Sequence, residues 1–212
     1  MNNLESYLSQ GVPTLEKAKI ILEEAKGLNP GPWVDHSKYV AEGAKLIAEQ
    51  TSDLNPEIAY ILGLLHDIGR RRFGIVGMRH SIDGYNYATE IGYDLVARIC
   101  LSHVAFKNNN KVIVVGKWNG TEEEYNFIVD YLSKNEDTDY DRLIKLCDYI
   151  AMPSGFCLME KRIVEMTIRG EINENTVPRW KSTMEIQSYF EEKIGGSIYK
   201  LLPKVIENTF GL

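Results

Sequence analysis

The sequence lacks a long apolar run and an excess of positive charge. No apolar run approaches the roughly 20 residues that a membrane-spanning helix requires, so we expect no membrane partner. The 24 lysines and arginines are outnumbered by 30 aspartates and glutamates, which gives a net charge of -6. Because binding to a nucleic-acid backbone needs clustered positive charge, the composition argues against a nucleic-acid polymer as partner. It leaves room for a small basic pocket within an acidic surface.

Cysteine is also scarce, and the three present lack the spacing of paired metal ligands. They are Cys100, Cys147 and Cys157. An odd number of widely spaced cysteines is typical of reduced residues in or near the core of a cytoplasmic protein. The first residues have neither a basic start nor a following apolar segment, so we expect no secretory signal and a cytoplasmic location. Cys147 precedes an aspartate, but its apolar helical context favours a core role over a nucleophilic one.

The hydrophobic periodicity predicts an all-α protein. Thr14, Asn55 before Pro56, and Thr121 with Glu124 are typical helix starts. Residues 1–13 are polar and predict an entry segment. The predicted helices cover 14–26, 33–47, 56–67, 81–91, 94–103, 121–133, 140–151, 156–169, 179–193 and 197–209, with Asp94 as a cap and Pro203 as a break in the last.

Two further segments have less regular patterns. The run Val112–Val115 is short and β-branched, and its pattern fits an isolated strand, a hairpin arm or a buried linker. The acidic run 135–139 indicates a solvated face.

The few histidines are concentrated near one unusual stretch, 61–70. All four lie between residues 36 and 103, each on or beside a predicted helix: His36, His66, His80 and His103. The stretch begins with an apolar run and continues with His66 and Asp67, then Gly69 and three arginines. Imidazole nitrogen and carboxylate oxygen together suit divalent first-row metals. An isolated His-Asp pair is more often a helix end or a surface pair, so the metal hypothesis depends on the other histidines.

The helix that leads into this stretch is apolar nearly all round, which predicts burial on most sides. It would carry His66 and Asp67 out of the core into a cavity, where an unpaired aspartate is costly and a bound cation explains it. His36 falls in the first turn of its helix, where neutral imidazole is favoured. Asp148 lies within the apolar pattern of a later helix, and either pairs with a core arginine or ligates a metal.

In order, the candidate ligands are His36, His66 with Asp67, His80, His103 and Asp148. This pattern resembles the HD superfamily of metal-dependent phosphohydrolases over residues 33–151, and the His-Asp-Ile-Gly-Arg segment at 66–70 is its most specific part. The resemblance implies a helical bundle with additional C-terminal helices, forming one domain with a core at 33–151 and an extension at 152–212. It also implies that His36, His66, Asp67 and Asp148 hold one metal. His80 and His103 match the branch with two metals, in which Asp67 bridges.

The resemblance further implies hydrolysis of a phosphate ester or anhydride of a small nucleotide-like molecule by a metal-activated water. The expected cofactors are two divalent ions, drawn from Fe, Mn, Co, Zn and Mg. Asp67 and Arg70 are the predicted catalytic residues, and Arg70, Arg79 and Lys107 the predicted contacts to substrate phosphate. For Arg71 and Arg72 we expect a solvated loop. Asp83 either orients His80 or lies exposed on its helix, with exposure favoured.

Alternatives to a phosphohydrolase remain open at this point. Some HD-fold proteins use the same ligands for a di-iron centre that oxidises an organic substrate, and a regulatory domain would bind metal or nucleotide without turnover. Within the superfamily, the pattern resembles enzymes that cleave dinucleoside polyphosphates or cyclic dinucleotides. The glycine-tyrosine-proline signature of one phosphodiesterase group is missing, because Gly84-Tyr85-Asn86 lacks the proline and is misplaced. A homodimer is compatible with the sequence.

Overall fold

A computed structural model of the chain describes residues 7, 9–74, 77–170 and 172–212. Much of the predicted entry segment therefore lies outside the described residues. The structure is 65% helical, with ten α-helices and two small sheets, which confirms the all-α prediction. Within the described ranges, every helix falls short of the length and hydropathy that a bilayer-crossing segment requires.

The helices and strands follow one another along the chain with short connections. The helices are α1 (Leu15–Leu28), α2 (Trp33–Ala48), α3 (Pro56–Leu65), α4 (His80–Glu90), α5 (Asp94–Ser102), α6 (Glu122–Lys134), α7 (Asp139–Asp148), α8 (Met159–Arg169), α9 (Thr176–Ile194) and α10 (Val205–Phe210). The strands are β1 (Ala105–Asn108), β2 (Lys111–Val114), β3 (Ala151–Met152) and β4 (Gly155–Phe156). Short 3-10 turns lie at Ile68–Arg71, Gly77–Arg79 and Ile198–Lys200.

Three of the four predicted capping residues are confirmed by side-chain hydrogen bonds. The Thr14 hydroxyl accepts a hydrogen bond from the first turn of α1. The Asn55 side chain caps α3, and Thr121 forms a capping box at α6. The prediction that Asp94 caps α5 is wrong, because Asp94 is already the first helical residue and Tyr93 precedes it without a side-chain cap.

Helix α3 lies at the centre of the core, as its apolar sequence predicts. Its apolar side chains from Ile58 to Leu65 are almost completely buried. The helix packs mainly against α2, and also against α1, α5 and α7. It ends at Leu65, so the two residues that follow leave the core at its carboxyl end.

Gly63 allows α2 and α3 to approach closely. A Cβ atom built at this position would lie 2.6 Å from the Cα atom of Ala41, on α2. Backbone atoms cannot retreat as a flexible side chain does, so any larger residue would push the two helices apart. The closeness of α2 and α3 also brings the start of α2 towards the end of α3.

The β-branched run Val112–Val115 contributes one arm of a hairpin. Strand β2 pairs antiparallel with β1, with Asn108 opposite Lys111. Asn109 and Asn110 form the two-residue loop, with φ angles of 49° and 61°. Positive φ at both positions is typical of the turn that matches the twist of a hairpin, and asparagine tolerates it better than most residues. Of the three interpretations of this run, the hairpin arm is the observed one.

The C-terminal elements differ from their predicted bounds. Helix α7 ends at Asp148 rather than 151, and β3 and β4 form a minimal hairpin around Pro153. Gly155 has a φ of 139°, which only glycine adopts readily, so the predicted helix start at 156 is wrong. The predicted last helix is interrupted at Pro203, between a 3-10 turn and α10.

The acidic run at 135–139 is only partly solvated, which corrects the prediction for two of its residues. Asp137 pairs with Lys145 at 2.7 Å. Asp139 accepts hydrogen bonds from Lys193 and Tyr189, both on α9. These contacts fasten α9 to the start of α7. The division into a core and a C-terminal extension stays a prediction.

Substitution Gly63→Ala should destabilise the protein by about 1–3 kcal/mol, because the added methyl group meets the backbone of α2. Urea unfolding measures this change. Gly27→Ala is the matched control, since a Cβ at Gly27 has no atom within 4 Å. That control should be neutral or slightly stabilising, by up to roughly 1 kcal/mol. Equal stabilities of the two variants would contradict the close approach of α2 and α3.

Candidate metal centre

The structure brings the six predicted ligands together at the ends of five helices. Helices α2 and α4 contribute from their first turns, and α3, α5 and α7 from their carboxyl ends. Four histidines and one aspartate are each at most 6% exposed, and the side chain of the second aspartate is 16% exposed. The six are His36 (α2), His66 and Asp67 (after α3), His80 (α4), His103 (after α5) and Asp148 (α7).

The carboxylate of Asp67 faces two sets of histidines, one with each oxygen. Its Oδ1 lies 2.9 Å from Nε2 of His80 and 3.5 Å from Nε2 of His103. Its Oδ2 lies 2.6 Å from Nε of Arg70 and 3.9 Å from Nε2 of His66. Asp67 therefore stands between two groups of donors, as a bridging carboxylate would.

The ring orientations of three histidines are fixed through Nδ1. In each case Nδ1 bonds a backbone carbonyl three or four residues earlier in the chain. A carbonyl oxygen only accepts hydrogen bonds, so Nδ1 carries the proton and Nε2 keeps its lone pair. The pairs are His66 with Gly63, His80 with Gly77 and His103 with Ile99.

The Nε2 lone pairs of these histidines face one region of the interior. Among the described residues, no protein group in that region donates a hydrogen bond to all of them. Nε2 of His80 and Nε2 of His103 are 3.2 Å apart, and both face Oδ1 of Asp67. Nε2 of His66 is buried without a hydrogen-bond partner. Buried acceptors left unpaired are costly. A cation is the chemical group that satisfies several of them at once, so the residues present fit a bound metal.

The spacing of the donors also fits first-row metals. Two groups have all their ligand atoms within 4.8 Å of one another: His36, His66 and Asp67, and Asp67, His80 and His103. Metal–nitrogen bonds of about 2.0–2.1 Å at right angles place two ligands roughly 3 Å apart, close to the shorter distances seen here. Nitrogen-rich sites with a carboxylate suit Mn, Fe, Co or Zn.

Asp148 joins the centre through His36 and is also held by an arginine. Its Oδ1 lies 3.0 Å from Nε2 of His36 and 3.7 Å from the guanidinium of Arg162. Of the two alternatives that the sequence left open for Asp148, the arginine partner is observed. Asp148 belongs to neither group of donors that lie within 4.8 Å of one another, so its role as a metal ligand stays a prediction. Burial alone would raise the pKa of Asp148, but the His36 hydrogen bond and the nearby charges hold it well below its usual range.

Arg162 was missed in the sequence. It lies on α8, flanked by the buried apolar residues Met159 and Ile163. A charge inside the apolar stripe of an amphipathic helix is the signal that would have identified it. Its guanidinium also contacts Glu165 at 2.5 Å, so one arginine joins two carboxylates.

Three residues were predicted to contact substrate phosphate. Arg70 lies beside the candidate metal centre, whereas Arg79 and Lys107 pair with carboxylates elsewhere. The side chain of Arg70 is 30% exposed and bonds Asp67. Arg79 contacts Asp83 and Glu124, and Lys107 contacts Glu136. The substrate roles of Arg79 and Lys107 therefore stay predictions.

The two arginines after Arg70 both have partners. Arg72 is exposed, as expected for a solvated loop, whereas Arg71 is partly buried. Arg71 lies over the ring of Tyr87 at 4.0 Å. Arg72 pairs with Asp83 at 3.3 Å. Asp83 is thus partly buried and pairs with Arg72 and Arg79, and its role in orienting His80 stays a prediction.

Gly69 positions the two halves of the centre. A Cβ at this residue would lie only 1.8 Å from the carbonyl oxygen of His80 and 2.5 Å from the backbone nitrogen of Gly84. The turn that follows Asp67 therefore packs directly against the first turn of α4. This contact explains how Asp67 and His80 meet across a separation of 13 residues.

Burial keeps the centre in the protonation state that metal binding needs. Desolvation lowers the pKa of His66 to about 4, and it also lowers the pKa of His80. Burial would raise the pKa of Asp67, but the adjacent Arg70 guanidinium holds it well below its usual range. Neutral imidazoles beside an ionised carboxylate are the forms that bind a metal.

Comparison with protein families gives one match. A family model described as HD domain matches residues 33–152, which is more than half of the 212 residues. Comparisons with curated proteins and with solved structures find no match. The matched range nearly coincides with the range 33–151 over which the sequence resembles that superfamily.

The metal-free protein should lose stability as the pH falls from about 6.5 to about 4. In the unfolded chain histidine titrates near 6.5, whereas folded His66 stays neutral until about 4. The unfolded state therefore binds protons first, and His66 alone contributes roughly 3 kcal/mol to the loss. The lowered pKa of His80 acts in the same direction.

Urea unfolding in the presence of a chelator, at intervals between pH 7 and pH 4, measures this loss. Substitution His66→Gln should reduce the slope of the free energy of unfolding against pH. A wild-type stability that stays constant between pH 7 and pH 5 would contradict the buried, neutral state of His66.

Proposed function

The chain belongs to the HD domain family, and from this premise we propose that it is a metal-dependent phosphohydrolase. The family consists mostly of metal-dependent hydrolases. The proposed substrate is a phosphate ester or anhydride of a small nucleotide-like molecule, and the proposed location is the cytoplasm. The observation that carries the proposal is the position of Asp67, whose two oxygens face separate sets of histidines.

Divalent ions held by the six clustered residues would generate a nucleophilic water at neutral pH and neutralise the phosphoryl oxygens. Those residues are His36, His66, Asp67, His80, His103 and Asp148. A side-chain nucleophile is poorly supported, because burial raises the pKa of the Cys100 and Cys147 thiols and keeps them un-ionised at neutral pH. Water is therefore the proposed nucleophile.

Arg70 has two proposed tasks. Its Nε holds Oδ2 of Asp67 at 2.6 Å, which fixes the carboxylate between the histidine sets. Its terminal amino groups lie beyond this bond, on a side chain that is 30% exposed. A guanidinium donates in a planar fork that matches two phosphate oxygens. We therefore assign Arg70 the binding of the phosphoryl group that reacts.

Arg162 and Asp148 have a supporting part in this proposal. The arginine lies 3.7 Å from Oδ1 of Asp148 and also donates to the backbone carbonyl of the same residue. Two contacts to one residue restrict how the carboxylate turns, and so keep Oδ1 towards His36. Arg162 is thus proposed as a positioning residue for Asp148.

Asp67→Asn should remove metal binding and turnover together, because the amide keeps the shape but loses the charge and one acceptor. We expect a loss of metal by elemental analysis and a fall of at least about 100-fold in phosphate release, in line with the several kcal/mol that a bound metal supplies. Asp130→Asn is the control, since Asp130 is an exposed aspartate of α6 paired with Lys134. It should change neither quantity.

Other outcomes of the same assays distinguish the alternatives. Wild-type protein that holds stoichiometric iron and consumes oxygen with an organic substrate, without releasing phosphate from a nucleotide panel, would contradict the hydrolase. Saturable metal and nucleotide binding without any turnover would favour a regulatory domain.

Arg70→Ala should raise KM by about 10- to 100-fold, which corresponds to one lost charge-assisted hydrogen bond. Metal content should change much less than KM. Arg70→Lys keeps the charge without the fork and should fall between the alanine variant and the wild type. Steady-state kinetics with elemental analysis of each variant test this, and unchanged kinetics in Arg70→Ala would remove Arg70 from the site.

A further inference from the structure

Arg179 differs from every other arginine of the described residues in having no partner for its guanidinium. Seven of the nine arginines form an ion pair with a carboxylate. Arg71 lies over the ring of Tyr87, although its Nε is also buried without a hydrogen-bond partner. Arg179 has neither kind of contact, and its Nε is buried without a hydrogen-bond partner. A buried donor left unpaired is costly, so this position calls for a specific explanation.

Arg179 lines a small cavity, which we name the Arg179 cavity. The rest of the lining is an apolar part from the β1–β2 hairpin and the two residues after it, and a polar part formed by Asn173, Asn175 and Thr176. Its volume is about 30 Å³. The cavity therefore accommodates the oxygens of one small group and not a whole nucleoside.

The polar groups that line this cavity are left with donors to offer. The Asn173 side-chain oxygen already accepts from the backbone nitrogen of Asn175, and its amide NH2 remains free to donate. The Thr176 hydroxyl accepts from the backbone nitrogen of Asn173, so its proton also remains available. Glu174 is exposed and is not part of the lining. Donors and a positive charge without a carboxylate are the chemistry of an anion site.

Three chain segments link the cavity to residues that neighbour candidate metal ligands in the sequence. Arg179 acts electrostatically on Tyr149, which directly follows the ligand Asp148. The hairpin begins two residues after His103. A Cβ at Gly116 would touch Met78, two residues before His80, at 3.1 Å. An anion in the cavity would therefore lie beside segments that carry three of the proposed ligands.

We infer that the Arg179 cavity binds a tetrahedral oxyanion of the phosphate type, separately from the phosphoryl group at the metal centre. The inference rests on the proposed function for one of two sources of this anion, a second phosphate of the substrate. The other source is free inorganic phosphate. Both use the same chemistry, which is a guanidinium and neutral donors around the oxygens of one small group.

The first experiment titrates inorganic phosphate into metal-free protein and follows binding by calorimetry. Wild type should bind saturably, and Arg179→Gln should bind at least about tenfold more weakly, the effect of one lost charge-assisted hydrogen bond. Arg169→Gln is the control, because Arg169 is an exposed arginine of α8 paired with Glu165. Asp67→Asn should also retain binding, which separates the cavity from the metal centre.

Two results would overturn the inference: no saturable phosphate binding to the wild type, or equal affinity in wild type and Arg179→Gln. If Arg179→Gln unfolds at a lower temperature than the wild type, Arg179→Lys provides the second comparison. The lysine keeps the charge but not the fork, and should show intermediate affinity. If Arg179→Lys binds phosphate as tightly as the wild type, the planar geometry of the guanidinium does not contribute to binding. If it binds phosphate more weakly than Arg179→Gln, the positive charge does not contribute.

The second experiment identifies the source of the anion with metal-loaded enzyme. If the second phosphate of the substrate occupies the cavity, Arg179→Gln should raise KM about tenfold for nucleoside diphosphates and leave KM for monophosphates unchanged. Equal KM values alongside weakened phosphate binding would assign the cavity to free phosphate. If no phosphate ester is turned over, the proposed function fails, whereas the titration of the metal-free protein still decides whether the cavity binds phosphate.

Discussion

The whole arrangement depends on the buried carboxylate of Asp67, which lies among the lone pairs of histidine ring nitrogens. Its Oδ1 faces two imidazole nitrogens, and its Oδ2 faces a third imidazole and Arg70. Neutral imidazoles offer this charge little compensation, and a single arginine reaches only one of its oxygens. The folded chain therefore contains a concentration of acceptors that bound cations would stabilise, and this is the physical basis of a candidate metal centre in an otherwise apolar core.

The fold places the ends of several helices around the Asp67 carboxylate. Helix α3 is buried on nearly all sides, so its carboxyl end opens into the interior and not towards solvent. Gly63 and Gly69 remove the two side chains that would separate α3 and the following turn from α2 and α4. Each of the remaining ligands then comes from the first or last turn of another helix. Helix ends suit this task, because a ligand placed there can leave the apolar face without interrupting it.

The sequence predicts the helices well, and it also predicts the cluster of His36, His66, Asp67, His80 and His103. Apolar periodicity locates α1 to α6 within a few residues, and the order of His66, Asp67 and the other histidines singles out the centre. The sequence does not predict the β1–β2 hairpin uniquely, because a short β-branched run fits several structures until its pairing strand is known. The contacts of Arg162 and Arg179 could not be predicted, because they involve residues at least 14 positions away. A charge on an amphipathic helix gives no sign in the sequence of which carboxylate, if any, it will meet.

The carbonyl contacts of the histidine rings have a consequence for how the centre assembles. His66, His80 and His103 each take their ring orientation from a carbonyl within the preceding turn. Such contacts are available as soon as that turn forms, before distant parts of the chain meet. Loading with metal then requires only that preformed turns dock, so its rate should follow the docking of the helices and not a search through ring rotamers.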